Sequence, residues 1–194
     1  GASLLGHNHP AITGAVREAA EQGLICAYET EDHARLAAEV CAAVPCAEMV
    51  RYAGSGTETI MHGLRLARAA TGRWKIMKFE GHFHGYSDPL NFSVAPPIDM
   101  AGPPKEPTPH PESAGIPPDL ARDLVVLPYN DVETLERAFR THGEQTAALF
   151  LEPVNYDSGC ILPTEGFVER CRELCSEYGV ILYFDEVLTA FRMH

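Results

Sequence analysis

Val180-Ile181-Leu182-Tyr183-Phe184 runs directly into Asp185-Glu186, five apolar residues followed by two carboxylates. A short apolar run that ends in acids reads as a strand buried on both faces, with a polar feature at its carboxyl end. Two similar runs lie upstream. Leu124–Leu127 is apolar and β-branched, and residues 147–151 end in Glu152-Pro153. A helical pattern begins near Asp131 after the first, and another covers residues 164–178 after the second. Residues 74–79 and 49–53 are read as further strands. Apolar runs alternating with amphipathic helices specify an α/β fold, a mostly parallel sheet flanked by helices on both faces.

Before these come three helical patterns. Pro10 opens the first, whose apolar stripe ends at Gly23. Thr30 is a candidate N-cap for the second, which Pro45 stops. The third follows Gly54-Ser55-Gly56-Thr57 and runs through residues 64–68. One stretch fits neither pattern: nine of the fifteen prolines fall between Pro96 and Pro118. Residues 94–118 therefore predict an extended surface loop, with a mobile lid and a disordered insertion as its two readings.

Composition narrows the function. Lys and Arg total 15 against 27 Asp and Glu, a formal charge of −12, which disfavours nucleic acid because phosphate backbones require a basic face. No apolar stretch is long enough to span a membrane. The opening Gly1-Ala2-Ser3-Leu4-Leu5 lacks the basic flank of an export signal. Six cysteines are then expected as free thiols in the cytoplasm, and their spacing matches no zinc site.

In a parallel sheet, ligands gather beyond the carboxyl ends of the strands. Ser55, Gly56 and Thr57 lie where a strand gives way to a helix, and main-chain amides with hydroxyls make a phosphate seat there. The loop lacks the Gly-Lys-Ser/Thr of a P-loop, and Thr59 stands where a dinucleotide fingerprint needs glycine; a capped tight turn explains it equally well. Asp185 at the end of a buried strand calls for a cation, such as a protonated ring nitrogen or a magnesium ion; capping a following helix is the structural reading. Glu152 would orient a ligand or accept bonds from a neighbouring loop. In Gly81-His82-Phe83-His84-Gly85, an aromatic ring between two histidines can lie against a flat ligand.

Taken in order, Leu5-Gly6-His7-Asn8-His9-Pro10, Gly54-Ser55-Gly56-Thr57-Glu58-Thr59, Phe79-Glu80-Gly81-His82-Phe83-His84-Gly85, Glu152-Pro153-Val154 and Phe184-Asp185-Glu186-Val187 resemble the class III pyridoxal-phosphate-dependent aminotransferases, nearest the glutamate-1-semialdehyde aminomutase branch. The resemblance covers essentially the whole chain, residues 1–194. It implies the large cofactor-binding domain of an aspartate aminotransferase-like enzyme that moves an amino group from a small-molecule donor to a carbonyl acceptor.

Ser55, Gly56 and Thr57 then match a cup for the phosphate of pyridoxal 5'-phosphate. Phe83, beside His84, and Val187 match residues on the two ring faces. Asp185 matches the carboxylate that keeps the pyridine nitrogen protonated, with Glu152 as the second catalytic candidate. Asp157 falls near the position that approaches the phenolic oxygen or a substrate group. The aminomutase branch has asparagine there; Leu188 and Ala190 depart from a common glutamine and glycine. The family usually forms homodimers, so the resemblance implies a dimer, and no metal ligand is expected in this chain.

The family also needs a lysine that binds the cofactor covalently and then carries a proton. Lys75, Lys78 and Lys105 are the only lysines, and none matches it. By resemblance that lysine lies downstream of His194, so the N-terminal segment, the lysine region and the small C-terminal domain are expected outside this chain. A non-catalytic remnant that binds a phosphorylated ligand, or dimerises with a full-length partner, is the alternative. A magnesium-dependent nucleotide enzyme is a third reading.

Overall fold

A computed structural model of the chain describes residues 3–23 and 27–192. It divides into two compact units, Gly1–Ala53 and Gly54–His194. Within the first, α1 (Pro10–Gln22) starts with proline at its first helical position. Helix α2 (Glu31–Ala43) is capped at Thr30, whose backbone N–H donates to His33 Nδ1 at 3.1 Å. The expected strand at residues 49–53 is not formed: among the described residues it pairs with no strand, and Met49 is 89% exposed.

The second unit is built on four parallel strands in the order β2-β1-β3-β4. They are β1 (Lys75–Phe79), β2 (Leu124–Leu127), β3 (Thr146–Leu151) and β4 (Ile181–Phe184). Helix α3 (Gly56–Thr71) precedes β1, α4 (Val132–His142) joins β2 to β3, and α5 (Phe167–Tyr178) joins β3 to β4.

The period of two along a strand sorts the core into layers. Met77, Phe79, Leu149 and Leu151 pack with Leu135 and Phe139 of α4 and Phe167 and Leu174 of α5. Ile76, Ala148 and Phe150 turn to the other face, against Ile60, Leu64 and Ala67 of α3. Helix α3 comes so close to β4 that a Cβ on Gly63 would lie 2.2 Å from the Tyr183 ring. At the far end of the sheet the Arg73 guanidinium donates to Tyr178 O at 2.7 Å, neutralising the C-terminal carbonyls of α5.

The expected helix over residues 164–178 begins at Phe167. Phe167 N–H donates to Thr164 O, and Gly166 takes φ +78, so residues 164–166 form a turn instead. The connection from β1 to β2 contains the proline-rich segment and no α-helix. Phe92 pairs with Pro111, Glu112 Oε1 accepts the Val94 and Ala95 N–H groups, and Ile116 is buried in the α3-side core.

Among the described residues no helix is long and apolar enough to cross a membrane. The five described cysteines are free; Cys26 lies outside the described residues. Cys171 and Cys175 are core residues, and burial pushes both thiols up to about 12. Leu149 is central to the sheet and fully buried, so Leu149→Ala should lower unfolding stability by about 2–5 kcal/mol, read from the denaturant midpoint of the intact protein.

Candidate functional site

The chain goes from β1 outward to β2, then returns past β1 to β3 and β4. The order therefore reverses between β1 and β3, and the loops leaving their carboxyl ends separate to leave a crevice. A pocket of about 230 Å³ lies there. Three loops that follow strands, together with the start of α3, supply its walls.

The start of α3 contributes Ser55, Gly56 and Thr57. Ser55 is the N-cap, its Oγ accepting the Glu58 N–H at 3.2 Å. No strand leads into this turn; helix capping holds it, with Glu58 Oε2 also accepting the Gly54 N–H at 2.6 Å. The loop after β1 is held against it. Tyr86 N–H donates to Thr57 Oγ1 at 3.2 Å, and Gly85 passes at φ +77 so near that a Cβ would meet Thr57 Cα at 2.9 Å.

The same loop places Phe83 and His84 on the pocket wall, and β3 and its loop add Glu152 and Asp157. Asp185 and Val187 enter from the end of β4. All nine residues singled out in the sequence as a site meet around this one pocket. Ile60, on the first turns of α3, also lines it; in sequence it is indistinguishable from its core neighbour Leu64. Leu188 and Gly85 complete the wall.

Asp185 is 9% exposed, with each carboxylate oxygen matched. Oδ2 faces His84 Nδ1 at 2.9 Å and Oδ1 accepts the Val187 N–H at 3.2 Å. With Asp185 Oδ2 as the acceptor, His84 Nδ1 carries the hydrogen. His84 is fully buried, and burial drives its basicity down, while the Asp185 hydrogen bond opposes this. Its Nε2 has no partner. The capping role expected as the structural reading of Asp185 survives only as the single Val187 bond, since residues 187–192 form turns rather than a helix.

Glu152 accepts the Phe83 N–H at 2.6 Å, and its own N–H donates to His82 Nδ1 at 2.9 Å. It thus takes bonds from the neighbouring loop while lining the pocket. Burial, reinforced by Asp185 and Asp157, lifts its carboxyl to about 7 against the Phe83 and Tyr156 N–H groups. The three lysines engage elsewhere: Lys75 with Arg122 O, Lys105 with Glu133, and Lys78 with buried carbonyls. None lines the pocket. Among the described residues no three His, Cys, Asp or Glu side chains are arranged to hold a metal.

His82 is fully buried beneath the pocket, and burial, with His84 and Lys78 alongside, depresses it to about 2. Its unfolded counterpart takes a proton near the ordinary histidine value, so the unfolded state binds more protons below it and stability falls as pH drops. Between pH 7 and about pH 5 this group alone should remove about 2 kcal/mol. In His82→Gln, denaturant melts across that range should show a correspondingly flatter acid limb.

A model of the class-III aminotransferases matches residues 1–192. The glutamate-1-semialdehyde 2,1-aminomutase of Albidiferax ferrireducens is 44% identical over 193 residues, which cover all of this chain and 43% of that enzyme. An omega-transaminase from Sphaerobacter thermophilus superposes with a TM-score of 0.88 at 34% identity, covering 97% of this chain and 43% of that one. A glutamate-1-semialdehyde-aminomutase from Pseudomonas aeruginosa PAO1 in complex with PMP gives a TM-score of 0.80 at 30% identity, covering 97% and 40%. The chain thus spans less than half the length of these relatives, and it belongs to the class-III aminotransferases.

Proposed function

We propose that the intact protein is a pyridoxal-phosphate-dependent enzyme that transfers an amino group between a small-molecule amine and a carbonyl acceptor, as an aminotransferase or aminomutase. The observation that carries this reading is the Asp185 carboxylate, backed by a buried histidine and opening on a pocket whose opposite wall is a helix N-terminus bearing two hydroxyls. The donor set fits the group. A phosphate is met by the Ser55 and Thr57 hydroxyls and the positive end of α3, a flat ring by the apolar Phe83 and Val187, and a protonated ring nitrogen by Asp185.

When bound, pyridoxal phosphate supplies an electron sink for the carbon that bears the amino group. The chain's part is to keep that sink effective. Asp185, oriented by its contact with His84 Nδ1, would hold a proton on the ring nitrogen. Ile60, Phe83, Val187 and Leu188 give the pocket an apolar lining, which lowers the local dielectric around Asp185. Asp157 would face the phenolic oxygen or a substrate group, and Glu152 fixes the loop that carries Phe83. The chain is then the greater part of the large domain, working as a cytoplasmic homodimer whose catalytic lysine comes from sequence beyond His194.

That no lysine of this chain lines the pocket favours, as a second reading, a remnant that binds the phosphorylated cofactor without turnover. Titrating the intact protein with pyridoxal phosphate, and following absorbance alongside amino-group transfer, separates the two: binding with turnover supports the enzyme, and binding without turnover supports the remnant. Asp185→Asn should cut turnover by about 10²–10³-fold. Unchanged turnover in that variant, or no cofactor binding in the wild type, would overturn the assignment.

A further inference from the structure

The peptide unit joining His82 to Phe83 is gripped from both sides by buried charged side chains. Its carbonyl accepts from Lys78 Nζ at 2.7 Å, and its N–H donates to Glu152 Oε1 at 2.6 Å. Lys78 is 0% exposed, although it sits on a central strand among apolar neighbours. Its ammonium also donates to Phe92 O, where the chain returns after the loop. Gly81 N–H to Ser93 O, at 2.9 Å, closes the same neck. A cation at the oxygen and an anion at the hydrogen act together on the dipole of one amide, and the residue that follows the grip is Phe83, whose ring lines the pocket.

An apolar side chain of similar volume would fill the Lys78 position without the cost of dehydrating an ammonium. Geometry is what the charge contributes. We propose that Lys78 and Glu152 are a matched pair of positioning residues that fix the His82–Phe83 peptide and thereby the face that Phe83 presents to the ligand. The clamp is read from contacts within the chain; only its effect on the cofactor rests on the function proposed above.

The clamp responds to pH. Burial lowers the Lys78 amine to about 7, opposed by Glu112, Glu152 and Glu80. Glu152 is raised to about 7, by burial first and then by Asp185 and Asp157. Burial pushes His82 and His84, packed beside Lys78, toward lower basicity, opposed at His84 by the Asp185 hydrogen bond. A charge on one side or the other of the peptide therefore changes as pH crosses neutrality, and the Phe83 N–H experiences it directly.

The test uses the cofactor-free intact protein labelled with ¹⁵N-phenylalanine, the Phe83 amide being assigned by its loss in Phe83→Tyr. Its shift should titrate near neutrality in the wild type and with clearly smaller amplitude in Glu152→Gln, which keeps an acceptor oxygen but no charge and leaves only Lys78 to titrate at this peptide. Lys78→Met should lose hydrogen-exchange protection at Phe83 selectively and weaken pyridoxal phosphate about tenfold, with Lys78→Arg restoring most of both. If Lys78→Met does not fold, Glu152→Gln and Lys78→Arg carry the test. A Phe83 amide that ignores pH in the wild type, titrates unchanged in Glu152→Gln, or keeps its protection in Lys78→Met would overturn the clamp. Failure of the wild type to bind pyridoxal phosphate would sink the function while leaving the amide result standing.

Discussion

A buried carboxylate must find compensation within hydrogen-bond reach, because little water reaches it. Asp185 meets that demand with the His84 ring on one oxygen and a main-chain N–H on the other. The histidine belongs to the loop after β1 and the acid to the end of β4, so this one contact ties together loops that lie on both sides of the switch in strand order. The pocket lies where the strand order reverses between β1 and β3. The Asp185–His84 bond fixes the loop after β1 against the end of β4, and the Glu152 bonds to His82 and Phe83 fix it against the end of β3.

Much of this was legible in the sequence, because the signals were local or periodic. The apolar runs before Asp185 and Glu152 both read as buried strands, and both are parallel strands with acids at the carboxyl edge. Strand β3 is buried throughout. Strand β4 is instead an edge strand with Ile181 and Phe184 each 41% exposed, and nothing in the run itself says that no further strand covers it. Residues 49–53 misled for the opposite reason. An apolar and β-branched composition describes a segment suited to a sheet, but a strand exists only where a partner offers a ladder, and partners are not written in the segment itself. The helix expected from Thr164 starts late because Gly166, at positive φ, turns the chain before helical bonding begins.

The layer behind the pocket was the least legible. Lys78 looks in sequence like an outward-facing residue of an ordinary strand, and nothing adjacent announces that the chain folds back at Phe92 to bury it. The sequence singles out His84 beside Phe83 and leaves His82 without a role. Yet one anchors the main chain of β3's end through Glu152 N–H, and the other holds the side chain of Asp185. Contacts between residues seventy or a hundred positions apart are set by strand order rather than by any motif.

That strand order also governs how the polypeptide finds its shape. Every pairing in the sheet is parallel, so no two strands can zip together across a tight hairpin. The central pair matches Lys75 with Thr146, and closing so long a stretch costs chain entropy before any reward from burial arrives. Assembly of this core is therefore expected to be slow. Until β3 docks, the hydrophobic edge of β1 stays open to mispairing.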